Sequence, residues 1–66
     1  MKKGDKFICK TDSYFEYTFT DKEKIGQNIT QPDKSYQFIE TAKNNKSKSR
    51  TVWKSESWVK NYFKSA

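Results

Sequence analysis

The segment TVWKSESWVKNYF, Thr51 to Phe63, decides how the rest of the chain must be arranged. Arg50 to Lys54 reads as a strand, and the residues after it read as a short terminal helix. At ~100° per residue, Trp58, Val59, Tyr62 and Phe63 fall within one stripe roughly 140° wide, with Lys60 and Lys64 on the opposite side. Ser55 or Ser57 is placed to cap the first turn through its hydroxyl oxygen, and the lysines lie towards the negative end of the helix dipole. A helix this short is unstable alone, so it must dock as a lid on something the preceding chain supplies.

That something is a sheet. Tyr14 to Thr20 is the clearest strand, because Phe15, Tyr17 and Phe19 alternate strictly with Glu16, Thr18 and Thr20. Tyr36 to Thr41 repeats the pattern, with Tyr36 and Phe38 on one side and Gln37 and Ile39 on the other. Gly4-Asp5 turns the chain into a first strand, Lys6 to Lys10, in which Phe7 and Cys9 share the inward face. Between Asp21 and Asp33 the reading is weak: the segment starts charged, is broken by Gly26, closes on Pro32-Asp33, and offers one weak strand around Ile25 or Ile29. Ala42 to Ser49, AKNNKSKS, reads as a polar loop whose Asn-Asn centre suits a hairpin turn. In the strand that follows, an inward Val52 would carry Arg50 and Lys54 with it, and burying two unpaired cations costs several kcal/mol each. The expectation is therefore that Thr51 and Trp53 face the core while Arg50, Val52 and Lys54 face outward. Four to five short strands closed by a helical turn or two make a small antiparallel barrel or curled sheet, mainly β.

At 66 residues the chain is expected to form one domain. A domain of that size buries only ~60% of its unfolded surface, so large side chains must fill its centre. Eleven aromatic residues do so, since leucine is absent. The same rings argue against disorder, despite a charged fraction of 33%. Cys9 is the lone cysteine and there is no histidine, which excludes an internal disulfide and leaves too few ligands for zinc. A general base would have to be a carboxylate or lysine with a shifted pKa, and the acids stand between polar neighbours. Cys9 has no histidine to activate it, and Gly4 and Gly26 stand alone outside any phosphate-binding loop. No catalytic residue, metal or cofactor is expected. MKKGDK does not open a secretory signal, and no apolar run reaches the ~20 residues that cross a membrane.

Charge is distributed unevenly. In residues 1–33 six lysines balance six acids, whereas residues 34–66 set eight cations against Glu40 and Glu56, so the whole formal excess of +6 lies in the second half. Clustered charge focuses the local potential and points to an acidic partner. The candidate binding residues are Lys43, Lys46, Lys48, Arg50 and Lys54, with Lys60 and Lys64 alongside and Tyr14 as an exposed ring.

Several short motifs carry a family likeness. Lys3-Gly4-Asp5-Lys6-Phe7 at the start, Phe19-Thr20, Lys34-Ser35-Tyr36 and the closing Trp53, Trp58 and Tyr62-Phe63 resemble small SH3-like barrel proteins encoded by bacteriophages and prophages. The likeness covers most of residues 1–66. It departs from the family pattern where Asp21 to Asp33 stretch the centre and Asp33 replaces a glycine. The resemblance implies a single SH3-like domain and a phage or mobile-element accessory protein in the bacterial host cytoplasm, binding host machinery. The leading expectation is thus a non-enzymatic protein that docks on, and inhibits or redirects, a host protein through a basic surface. Direct nucleic-acid binding is the alternative, but it needs rings on the same outward face as the lysines, and the face assignments leave only Tyr14 there. A structural or self-associating phage component is the third.

Overall fold

The computed structural model describes residues 1–25 and 34–66, and the expected break at Gly26, strand around Ile29 and turn at Pro32-Asp33 lie outside the described residues. Among the described residues five strands and one helix follow in the order β1 (Lys6–Cys9), β2 (Phe15–Ile25), β3 (Lys34–Ala42), β4 (Asn45–Ser55), α1 (Glu56–Tyr62) and β5 (Phe63–Ser65). All pairings are antiparallel, and the strands lie in the order β4-β3-β2-β1-β5. Of the two forms expected, the molecule takes the curled open sheet. Its edge strands β4 and β5 do not pair with each other, and α1 reaches β3, β4 and β5, which a flat sheet would not allow.

The alternating aromatics build the core. Phe38 is fully buried, and the rings of Phe7, Tyr17, Phe19 and Phe63 lie 5.1 to 6.4 Å from it, mostly edge to face. Phe19 opposes Phe38 across the β2–β3 pair and Tyr17 opposes Phe7 across β1–β2, so the period-two pattern sets the register directly. Above these rings α1 acts as the lid. Ser55 caps it by accepting from the Trp58 N–H at 3.2 Å, and Trp58 packs edge-on to Phe63 at 4.9 Å. The helix is shorter than its apolar stripe suggested. Phe63 leaves it in extended conformation and opens β5, where it pairs with Cys9.

β2 runs past its expected end, through Ile25. Between Phe19 and Glu23 it carries two more residues than β3 does between Tyr36 and Phe38, and Asp21 takes φ +68° within this bulge. An aspartate tolerates the left-handed region better than most side chains. Because two residues are inserted, the faces keep their phase on either side.

The face of β4 is the reverse of the expectation. Val52 opposes Phe38 and packs on the core, so Arg50 and Lys54 share the inner face, while Thr51 and Trp53 point outward. The elimination failed because the inner phase does not bury Arg50, whose side chain stays 74% exposed, and because neither cation lacks a partner. Arg50 meets the Glu40 carboxylate at 2.6 Å, and the Lys54 ammonium lies 4.4 Å from the centre of the Trp58 ring. Trp53 is 38% exposed, with the Lys24 ammonium 4.3 Å from its ring centre. The polar loop is also shorter than read, since only Lys43 and Asn44 form the turn and β4 begins at Asn45.

The five-ring contact fixes the first expected outcome. Phe38→Ala lowers the unfolding free energy by about 3–5 kcal/mol, measured by urea denaturation. A loss below about 1 kcal/mol would mean that the rings do not form the core.

Candidate functional site

Four of the candidate cations and Tyr14 gather at one end of the molecule, around the β3–β4 hairpin tip. Lys43 lies in the turn, Lys46 and Lys48 in the first residues of β4, and Arg50 just behind them. The tip is tied to the start of β2. The Lys43 N–H donates to the Tyr14 carbonyl at 2.9 Å, and the Tyr14 hydroxyl donates to Asn44 Oδ1 at 2.7 Å. Opposite Thr41 and Ala42, β4 carries three inserted residues, Lys46-Ser47-Lys48, between Asn45 and Ser49. This bulge sends the lysines to different sides. Lys46 joins Lys43, Lys6, Glu16 and Thr18 along a groove on the outer face of the sheet, whereas Lys48 and Arg50 join Tyr14, Phe15 and Glu40 along a second groove on the inner face.

The other candidates lie elsewhere. Lys54 stacks on Trp58, Lys60 sits on α1 at 3.4 Å from Glu56, and Lys64 sits on β5 opposite Ile8. The cations of the second half therefore do not form one continuous patch. The feature that sequence reasoning missed is Glu40, which follows Tyr36 and Phe38 in the apolar phase of β3 and so had to be inward. It is 7% exposed, and both of its oxygens are engaged: Oε2 accepts from the Tyr17 hydroxyl at 2.7 Å and Oε1 from Arg50 Nε at 2.6 Å. A carboxylate in phase with two aromatics was the available signal that a cation must face it across the sheet.

These contacts set the ionisation of the cluster. Burial pushes the Glu40 carboxyl up, but the hydrogen bonds from Tyr17 and Arg50 and the positive charges of Arg50 and Lys54 outweigh it, leaving its pKa below the ordinary glutamate value. Tyr17 is displaced far upward, first by burial and then by its hydrogen bond to the carboxylate and the charge there. Cys9, expected on the inward face with Phe7, is only half-buried at the end of β1, with Sγ 3.4 Å from Thr11 Oγ1, and that contact lowers its pKa. Among the described residues no three His, Cys, Asp or Glu side chains come together as a metal site. No described helix is long and apolar enough to cross a membrane.

No protein-family model matches the chain, and neither a curated protein nor a solved structure matches it. What the site can do must therefore be argued from its own chemistry. It offers cations on a braced hairpin and a guanidinium held by a buried acid.

Because the folded pKa of Glu40 is lowered, its contribution to stability is fully present above the ordinary glutamate pKa and is lost as pH falls through the folded value. Glu40→Gln is expected to be less stable at neutral pH and to flatten the acid limb of a melting-temperature profile. An unchanged acid limb would assign the acid transition to other carboxylates.

Proposed function

We propose that this chain is a non-enzymatic binding protein whose β3–β4 hairpin tip docks on an acidic surface of a larger bacterial protein, which it inhibits or redirects. The observation that carries this reading is the charge at the tip. Lys43, Lys46 and Lys48 enter no ion pair among the described residues, and the acids that line the same grooves are already engaged, Glu16 by Lys6 at 3.2 Å and Glu40 by Arg50. Three cations at a tip tied to Tyr14 raise the rate of encounter with an acidic surface, and the turn backbone beneath them needs little ordering on contact. The likeness to phage-encoded accessory proteins supports a host protein as the partner and the bacterial cytoplasm as the setting.

One observation favours nucleic acid as a second reading. Trp53 lies on the outer face with Lys24 across its ring, and Lys6 and Lys64 share that face, so an aromatic does accompany outward lysines. One exposed ring beside those lysines is a short stacking platform, which ranks this reading second.

The test is capture from bacterial lysate with and without nuclease. Joint replacement of Lys43, Lys46 and Lys48 by Glu abolishes nuclease-resistant capture and leaves the melt within about 2–4 °C, as expected of exposed substitutions. Capture that disappears with nuclease transfers the role to nucleic acid, and the logarithm of the affinity then falls with log salt at a slope of about −0.9 for each phosphate neutralised on a duplex. Capture unaffected by the triple replacement overturns the tip as the docking element.

A further inference from the structure

The inner-face groove beside the tip has a construction that the lysines alone do not. Arg50 uses Nε to hold Glu40 Oε1 at 2.6 Å, and Glu40 is in turn held by the Tyr17 hydroxyl at 2.7 Å. The acid is 7% exposed while the Arg50 side chain is 74% exposed, so the guanidinium is fixed from behind and open in front. A guanidinium carries five N–H donors, and no hydrogen bond among the described residues engages those on Nη1 and Nη2. A planar fork locked in orientation by a buried carboxylate is prepared for two parallel bonds to an incoming carboxylate or phosphate.

The walls narrow the choice. Phe15 and Ala42 are apolar, Tyr14 stands against Phe15 edge to face at 4.7 Å, and Lys48 with Ser47 and Ser49 forms the polar side of a groove of about 510 Å³. Lys48, Arg50 and Glu40 together leave one surplus positive charge. One surplus charge suits a single carboxylate, whereas a nucleic-acid strand is met by a continuous cationic track, which an acid in the wall interrupts. The apolar walls suit a carbon side chain adjoining that carboxylate.

We propose that this groove receives an acidic side chain of a protein partner, gripped by Arg50 and Lys48, with an apolar neighbour in the same segment lying against Tyr14 and Phe15. The inference rests on the docking reading above and adds the residue type that fills this groove. It makes Arg50 a specificity-determining contact and leaves Lys43 and Lys46 as long-range attraction.

The test titrates the isotope-labelled 66-residue chain with N-acetyl-Glu-Phe-amide and with N-acetyl-Gln-Phe-amide, followed by NMR. The glutamate dipeptide shifts the Arg50 Nε–H signal and the amides of Ala42, Lys48 and Ser49, and binds at least about tenfold tighter than the glutamine one. Arg50→Lys keeps a cation for Glu40 but removes the fork, and it erases the preference. Lys48→Gln lies outside the Glu40 pair and narrows the preference without altering the remainder of the spectrum, which covers the case in which Arg50→Lys fails to fold. Equal binding of the two dipeptides, or shifts confined to Lys43 and Lys46, overturns the proposal, as does an oligo-dT strand that displaces the glutamate dipeptide from Arg50. If the tip replacements abolish capture while the dipeptides bind alike, this inference alone fails. If no acidic protein is captured but the glutamate preference persists, the docking reading fails and the groove remains a carboxylate site.

Discussion

A buried carboxylate must be answered by donors, and in this molecule the demand of Glu40 decides how the outer half of the sheet is built. Its two oxygens take Tyr17 from β2 and Arg50 from β4, so one side chain on β3 ties the strands on both sides. The exposure of the Arg50 side chain means that water screens the pair, and its worth lies more in fixing geometry than in raw attraction. Once Arg50 must reach inward, period-two alternation takes Val52 and Lys54 with it. Trp53 is then forced to the opposite face.

The same constraint explains what the sequence made legible. Phe15-x-Tyr17-x-Phe19 and Tyr36-x-Phe38 announce their inward faces by alternation alone, and the lid helix follows from a capped apolar stripe. The orientation of β4 was not readable from β4 by itself, because RTVWK has an apolar residue in each phase and the deciding partner lies ten residues upstream at Glu40. The end of α1 was obscured in a similar way. Tyr62 and Phe63 fit a helical stripe, yet Phe63 gains more as the first residue of a strand on β1, where its ring meets those of Phe7, Tyr17 and Phe38. The bulges at Thr20–Lys22 and Lys46–Lys48 depend on cross-strand register, which no local pattern encodes.

Reversal of β4 gives the two tryptophans different tasks. Trp58 is half-buried and roofs the core while covering the Lys54 ammonium, which lets a cation share the inner face without an acid of its own. Trp53 stands on the outer face under Lys24. A ring expected to fill the centre is instead part of the surface, and the core closes without it around Phe38.

Eight of the cations consequently fall into three groups with unequal capacity for recognition. Lys6, Arg50 and Lys60 are matched by Glu16, Glu40 and Glu56, and Lys24 and Lys54 lie over tryptophan rings. A partner that claimed the same cations outright would have to replace those contacts. Lys43, Lys46 and Lys48 have neither acid nor ring among the described residues and stand on a turn that Tyr14 keeps in place. Arg50 is at once paired and available, because a guanidinium has donors enough to satisfy Glu40 and still present a second edge, which an ammonium in its place would offer only as an undirected charge.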